Sequence, residues 1–481
     1  MNGTQILWTI LKILVMVGFL FNVGGLLTWV DRRLSSMIQD RVGPNRAALK
    51  IGKFELRVAG LLHTAADGVK FFFKEDFMPP KADKLLFSLA PILAMVPVLA
   101  LTAVVPFGDT ISPSQLWRHL CAPSAGHALQ LVDGQCIDSV TKAVVSSPHL
   151  VFPAASRYGI STLHSAPIEL QVAPLNVGIL YVFAMAGQGI VGAAIAGWSS
   201  DNKFSLMGAL RAASQMVSYE VTMGLSLIGA MMIYGSVRLE DMIRWQGDNC
   251  WGIFVQPVAF FLFFAAAVAE TKRIPFDLPE AESELVSGYF TEYSGMKFGM
   301  FYFAEYMEIV TSSMLLVTIF LGGWQLPFLH RDGITIALGD TVHFAQKLPH
   351  IWVIIFGVLA FFGKVLAMCG LQAFVRWSLP RFRYDQLMKL GWTVLLPASL
   401  ANILATGVLW LASNGAGPQV ASALKLGADA SQALVAVLLT VLPLWAVYGF
   451  FTRREHDRTV IGTSGAMAEA AGGTKTASMQ A

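Results

Sequence analysis

Residues 6–30 read ILWTILKILVMVGFLFNVGGLLTWV. Lys12 is the one charge in a stretch that exceeds the roughly 20 apolar residues a helix needs to cross the hydrocarbon core. In lipid the backbone has to satisfy its own polar groups, so such a run is a helix. A cleavable signal does not account for it: the run is too long for an h-region and lacks a small-residue cleavage site. Working outward, further runs of spanning length fall at about 85–105, 175–197, 208–234, 252–270, 300–323, 350–370, 391–413 and 430–451. The expectation is an all-α polytopic membrane protein with about nine transmembrane helices, residues 1–451 forming a single integral-membrane domain.

Composition agrees with this. Of 481 residues, 55% are hydrophobic and 14% charged, with mean hydropathy +0.59. Soluble domains carry about 25% charge, so a soluble enzyme is excluded. A disordered chain is excluded too, because it needs high charge and few aromatics. A net charge of +3 gives no argument for nucleic acid as a partner. Four cysteines, Cys121, Cys136, Cys250 and Cys369, form no CxxC pair, so neither an iron–sulfur cluster nor structural zinc is expected.

The position of the charges says more than their sum. Twenty-four Lys and Arg lie in segments 31–84, 198–211, 271–299, 371–390 and 452–481, and eight in the alternate segments. By the positive-inside rule the first set is cytoplasmic, the amino terminus periplasmic and the carboxyl terminus cytoplasmic, as an odd span count requires. Residues 108–170 then form a periplasmic insertion between spans two and three. Cys121 and Cys136 both fall there, where an oxidising compartment would let them pair; two unpaired thiols is the alternative. Residues 47–77 are amphipathic without spanning, and read as an interfacial helix or a docking helix for a soluble partner. The tail 452–481 is low in complexity and is expected to be disordered.

Four charged constellations stand out. In the fourth span, MGALRAASQMVSYEVTMGLSLIGAMMIY (207–234), Arg211, Gln215 and Ser218 share a helical face and Glu220 lies on the opposite one. A carboxylate there costs roughly 2.5–3.5 kcal/mol on insertion scales; such groups mark ion or proton routes or pair with one structural base. The segment 269–309 carries Glu270, Lys272 and Arg273, then Pro275 and Pro279, which stop a helix. Asp277, Glu280, Glu282, Glu284 and Glu292 crowd the same short loop, and Glu305 and Glu308 reappear in the sixth span. Crowded carboxylates hold their protons more tightly, which suits proton carriage near neutral pH. A third group, Arg376, Arg381, Arg383 and Lys389, is either inside-positive anchoring or a cationic cavity wall. The fourth places Asp31, Arg32, Gln39 and Arg41 at the cytoplasmic exit of span one.

Five segments together resemble one family: GPN at 43–45, ADGVKFFFKE at 66–75, GWSSDNKFSLMGALRAASQMVSYEV at 197–221, ETKRIPFDLPEAESELVSGY at 270–289 and PRFRYDQLM at 380–388. The chain resembles the NuoH family, the quinone-site membrane subunit of respiratory complex I and counterpart of mitochondrial NADH dehydrogenase subunit one. The resemblance covers roughly 30–105 and 175–410. It implies a translocase subunit of NADH:quinone oxidoreductase in the bacterial inner membrane. Such a subunit takes quinone as substrate and holds no redox cofactor. NADH, FMN and the iron–sulfur clusters reside in partner subunits: soluble cluster-bearing subunits at the cytoplasmic face, with small membrane subunits and antiporter-like subunits alongside. By position it implies a quinone tunnel at Asp31, Arg32, Gln39, Arg41, Asp67, Arg273, Tyr306, Arg376 and Arg381. It implies a proton or coupling path at Arg211, Glu220, Glu270, Asp277, Glu280, Glu282 and Glu305.

The sequence departs from that pattern in three places. Asp31 stands where the family has glutamate, one methylene longer. The insertion 108–170 exceeds the short loop expected, and the ninth span and tail extend an eight-span core. Two rival readings differ in class: the related membrane subunit of a nickel–iron hydrogenase, and a stand-alone transporter. Near-complete acidic and arginine motifs argue against the first. The lack of an internal repeat, with acids gathered at one face, argues against the second.

Overall fold

Helix α1 (Gly3–Ile38) runs for 36 residues, about 54 Å at 1.5 Å per residue, so it outreaches the hydrocarbon core of about 30 Å. Its last two turns carry Asp31 to Ile38 beyond the apolar stretch. The computed structural model describes residues 3–44, 46–51, 54–56, 60–111, 129–132, 135–138, 169–277, 288–330, 333–338 and 341–414, together with 427, 430–437 and 441. Residues 1–432 form one compact unit and 433–481 another. Most of the expected ninth span and all of the tail lie outside the described residues.

The protein is an all-α polytopic membrane protein. Among the described residues seven helical stretches are long and apolar enough to cross a bilayer: Ile6–Ile38, Lys84–Val104, Gly178–Ser199, Lys203–Tyr234, Gly295–Phe320, His350–Ser378 and Tyr384–Ala412. They contain α1, α3 (Lys84–Leu101), α4 (Gly178–Ser199), α5 (Lys203–Tyr234), α8 (Gly295–Phe320), α9 (His350–Ser378), and α10 (Tyr384–Lys389) joined to α11 (Leu396–Asn414) through a π-helical turn at Leu390–Leu395. Shorter helices are α2 (Leu62–Phe73), α6 (Leu239–Asp248) and α7 (Pro257–Glu270).

Two expectations need correction. The fifth span, read as 252–270, is broken at Gln256, whose φ of −132° and ψ of 58° leave the helix. Pro257 explains this: it disfavours α geometry in the residue before it and sits readily at the first position of a new helix. The remaining α7 has 14 residues, about 21 Å, too short to reach both faces. The amphipathic stretch 47–77 is only partly helical. A hairpin of β1 (Leu49–Ile51) and β2 (Phe54–Leu56) precedes α2, which buries no residue and exposes Val69, Phe72 and Phe73.

The other strands are short. β3 (Leu129–Val132) pairs with β4 (Gln135–Asp138), and β5 (Leu329–His330), β6 (Gly333–Leu338) and β7 (Thr341–Lys347) form an antiparallel sheet between α8 and α9.

Caps match the sequence. Asp83 accepts the Leu85 and Leu86 N–H groups at the start of α3, and Asn202 accepts that of Phe204 at the start of α5. Gly192 lets α4 press on α3, because a Cβ there would stand 2.8 Å from the Ala94 nitrogen.

Helix α8 is the core of the bundle. Its apolar window is 89% buried, against 17–50% in the other six spans. From Ile309 to Phe320 its sequence is apolar, small or hydroxyl-bearing on every side, the pattern of an enclosed helix. Thr311, Ser312 and Thr318 turn their hydroxyls back to Glu308, Ile309 and Met314 carbonyls, so these polar residues bury without loss of hydrogen bonds.

The Phe320 end of α8 is closed by its neighbours. Val317 O accepts the N–H groups of Leu321 and Gly323, Thr318 O accepts Gln246 Nε2 at 3.0 Å, and Ile319 O accepts the Tyr234 hydroxyl at 2.8 Å. Lys364 of α9 donates to the carbonyls of Leu321, Gly323 and Gln325 at 2.8, 3.0 and 2.6 Å, with its ammonium 4.1 Å from the centre of the Trp251 ring. Gly322 and Gly323 make the turn with φ of +70° and +51°, a left-handed pair that glycine adopts without steric cost.

Candidate functional site

Because α7 is short, its carboxyl end stops inside the bundle. Glu270 and the turn Thr271–Asp277 are therefore enclosed instead of projecting into solvent. Thr271, Lys272, Arg273 and Asp277 are all buried, at 1%, 8%, 3% and 3% exposure. Gln215 of α5 holds this turn by donating to the carbonyls of Ala269 and Phe276 at 2.8 and 2.7 Å. Lys272 takes a positive φ of 54°, and Phe382 donates its N–H to Pro275 O at 3.0 Å.

Against this turn come Asp31 from α1, Tyr302, Glu305, Tyr306 and Glu308 from α8, and Arg376 from α9. Asp31 Oδ2 accepts the Tyr306 hydroxyl at 3.0 Å and an Arg376 N–H, and lies 3.9 Å from Arg273 Nη1. The other arm of Arg273 is 3.5 Å from Glu305 Oε2, and the guanidinium stacks 4.0 Å from the Tyr306 ring centre and 5.7 Å from that of Tyr302. The Tyr302 and Tyr306 hydroxyls share a hydrogen bond of 3.1 Å, and the Tyr289 hydroxyl donates to Glu305 at 3.4 Å. Lys272 stands 3.8 Å from Glu308.

Two cavities flank the cluster. One, of about 10 Å³, is bordered by Asp31, Arg273, Tyr306, Gln372 and Arg376. The second, of about 60 Å³, has Glu270, Lys272, Glu305 and Glu308 at one side and apolar side chains of α3 and α4, such as Pro97 and Met185, at the other. Successive residues of α8 thus border different cavities: Tyr306 the first, Glu305 the second. Arg273 touches a carboxylate of each. A buried guanidinium shared between two acids makes the protonation of one felt by the other, because charges interact strongly where water is scarce.

The remaining expected residues are placed as follows. Arg32 pairs with Asp67 at 2.5 Å in a part-exposed bridge, and Arg41 donates to Gln39 at 2.5 Å on the surface; these four stand apart from the cluster. Arg381 lies 3.6 Å from Asp277 at the rim. Glu220 faces Gly187 of α4. Arg211 lies 5.4 Å from the ring of Tyr384, whose hydroxyl shares a hydrogen bond with Ser214. Glu280, Glu282 and Cys121 lie outside the described residues; Cys136 sits on β4. Cys250 and Cys369 are free thiols.

Tyr289, Tyr302 and Gln372 escape the sequence reading, as does the placing of Glu308 in the cavity wall. The signal for Tyr302 and Glu308 is spacing: 302, 305 and 308 follow one another at i, i+3 on α8. Tyr293, in the loop before α8, is also buried, which pushes its phenol up to about 12, partly offset by its hydrogen bond with Ser199. It is therefore a neutral hydrogen-bonding group at neutral pH. Among the described residues no group of three or more His, Cys, Asp or Glu is placed to hold a metal ion.

Fold and cluster together define a multi-pass helical membrane protein with ionisable side chains buried between its helices. The NADH dehydrogenase family model matches residues 11–129 and 139–407. The chain belongs to this family. It is 38% identical over 380 residues to an NADH-quinone oxidoreductase H subunit of Cytophaga hutchinsonii, covering 79% of this chain and 90% of the relative. It is 38% identical over 384 residues to the NADH-quinone oxidoreductase H subunit of Flavobacterium psychrophilum, covering 80% and 91%. With an NADH-quinone oxidoreductase H subunit of Geobacter sulfurreducens it shares 39% identity over 396 residues, covering 82% and 94%.

Proposed function

We propose that this chain is the quinone-side membrane subunit of a proton-translocating NADH:quinone oxidoreductase in a bacterial inner membrane, with its amino terminus periplasmic. Family membership and relatives named as H subunits of NADH-quinone oxidoreductase support its place in that complex. Quinone is the substrate of the complex. The electron carriers, FMN and iron–sulfur clusters, belong to partner subunits at the cytoplasmic face, and antiporter-like subunits lie alongside.

The observation that carries the finer reading is Arg273, placed between Asp31 at the smaller cavity and Glu305 at the larger one. In this reading the smaller cavity is the inner part of the quinone tunnel. Tyr306, Arg273 and Arg376 supply hydrogen-bond donors and positive charge towards quinone oxygens that become anionic on reduction. Asp31 holds those donors in place. Arg32, Gln39, Arg41, Asp67 and Arg381 belong to the outer reach of the tunnel. Two-electron reduction of a quinone to a quinol takes up two protons. The resulting change of charge moves the shared guanidinium between its carboxylates, and Glu305, Glu308, Glu270 and Glu220 pass the change on as proton movement. Arg211, Asp277, Glu280 and Glu282 extend that path.

Purification from native membranes should bring down the cluster-bearing and antiporter-like subunits with this chain. In the assembled complex, Glu220→Gln and Glu280→Gln should each lower the protons moved per quinone reduced. Full pumping by both variants would overturn the acidic path. Co-purification with nickel–iron hydrogenase subunits would replace the quinone reading altogether.

A further inference from the structure

Helix α5 carries a residue that borders neither cavity of the Arg273 cluster and yet holds the turn from which that cluster is built. Gln215 is fully buried, at 0% exposure, and stands outside the walls of both cavities. Its side-chain nitrogen donates to Ala269 O at 2.8 Å and to Phe276 O at 2.7 Å. A glutamine amide has two N–H donors, and both are used here. Both acceptors are carbonyls, so the end of the amide that faces them is its nitrogen. Its oxygen is buried with no hydrogen-bond partner among the described residues. A buried group left half unpaired calls for an explanation, and the explanation lies in what the other half holds.

Ala269 O belongs to the peptide group that leads into Glu270, and Phe276 O to the one that leads into Asp277. Phe276 passes the hold inward, because its own N–H donates to Arg273 O at 2.8 Å. The Lys272 N–H meets Ala269 O from the other side, at 3.3 Å. One amide thus ties together the backbone around Glu270, Lys272, Arg273 and Asp277. Tyr219, one turn further along the same face of α5, adds to the grip. Its hydroxyl donates to Leu387 O at 2.9 Å, and its ring lies 5.7 Å from that of Phe276, which stacks in turn on Phe382 at 5.5 Å.

Arg273 depends on this hold. Its guanidinium lies 3.5 Å from Glu305 and 3.9 Å from Asp31, so its side-chain pairs alone define its place loosely. A shift of the turn would change which carboxylate it favours. Working groups lose rate steeply when displaced, by about 100-fold for about 1 Å. A neutral amide also sets these positions without adding a charge of its own between the acids and the bases.

We propose that Gln215 is a positioning residue for quinone reduction: by clamping Ala269 O and Phe276 O it sets the Arg273 guanidinium between Asp31 and Glu305. The proposal rests on the quinone reading of the Arg273 cluster, and Gln215 acts in it only through Arg273.

A double-mutant cycle in the assembled complex tests this, read as NADH-driven quinone reduction per complex. Gln215→Leu removes both donors at similar volume. Its kcat should fall about tenfold, with the apparent KM for quinone within about twofold of wild type. Gln215→Glu keeps the shape but cannot make both N–H bonds, and should lose as much. Arg273→Met should itself lose about tenfold or more. Combining it with Gln215→Leu should add little, because two changes that act through one group are not additive. A merely structural Gln215 would instead multiply the two losses, to about a hundredfold. Multiplied losses, wild-type turnover in Gln215→Leu, or full activity in Gln215→Glu would overturn the proposal. Failure of both Gln215 variants to assemble would also overturn it, by making the amide a part of folding. Wild-type turnover in Arg273→Met would overturn the quinone reading and this proposal with it. A loss in Arg273→Met beside normal turnover in Gln215→Leu would overturn this proposal alone.

Discussion

At the Phe320 end of α8 the carbonyls of Val317, Thr318, Ile319 and Leu321 each receive a donor, from the adjacent backbone, Gln246, Tyr234 or Lys364. At the Tyr302–Glu308 end the same helix meets charges spaced at 3.5 to 3.9 Å: Arg273 to Glu305, Arg273 to Asp31, Lys272 to Glu308. One end is built from close hydrogen bonds to backbone carbonyls. The other sets these three wider ion pairs beside the closer bonds that Asp31 makes with Tyr306 and Arg376. The difference teaches where this bundle holds its register and where it leaves room for chemistry. Charges taken out of water gain from each other only when the geometry is tight, so loose buried pairs are weak evidence for stability.

The largest expected effect comes from removing the cation common to both cavities. Arg273→Met leaves Asp31 and Glu305 short of a partner. Breaking a buried pair on one side costs about 3–5 kcal/mol. NADH-driven quinone reduction by the assembled complex should fall at least tenfold. Wild-type turnover in this variant would break the contrast at its working end.

Next in size is the closed end. Lys364→Met removes three charge-assisted hydrogen bonds, of the kind worth about 1.5–3 kcal/mol each. Thermal unfolding of the complex should shift down by several degrees, while turnover per assembled complex stays within about twofold. Normal stability with lost turnover would show the division between the two ends to be false.

A smaller loss should follow Gly322→Ala. The left-handed φ costs a non-glycine residue about 1–2 kcal/mol, and the added methyl would start 2.8 Å from Trp251 Nε1. The same unfolding measurement should register it, again with little change in turnover.

The smallest effect should come from Arg32→Gln. Its bridge to Asp67 is part-exposed, and such pairs contribute about 0–1 kcal/mol. Stability should barely move, and a modest rise in the apparent KM for quinone would sharpen the separation between the outer tunnel and the Arg273 cluster. A collapse in stability would show that this bridge belongs to the fold.

Much of the bundle was legible in sequence because hydrophobic length is a one-dimensional signal. Seven of the nine expected spans meet the length and hydropathy requirement within the described residues. The break in the fifth was legible too, since Pro257 disfavours helix in Gln256, but overall apolarity hid it. The sheet between α8 and α9 carried its own sign: GITIAL and TVHFAQK are rich in β-branched and aromatic residues, yet the stretch reads as a plain loop when only spans are sought. The site is another matter. Asp31 and Arg376 bond across 345 residues of sequence, and nothing local in either segment names the other. Family motifs brought those residues together by position, but not Arg273 into contact with both acids, nor Tyr302 onto its face. The same motifs mixed the surface residues Gln39 and Arg41 with the buried cluster, because motif membership does not encode depth.

The closing of α8 at one end has a mechanical consequence. A rod fastened at its tip by bonds from three neighbouring helices cannot slide along its axis without breaking them. Displacement at its other tip must then be bending, or a pivot about the fastened point. For Glu305 and Glu308, about 22 and 18 Å along the helix from that point, a pivot of about 4° moves the carboxylates sideways by about an ångström or two. Motion across the bundle, rather than along the membrane normal, is the direction this architecture leaves open.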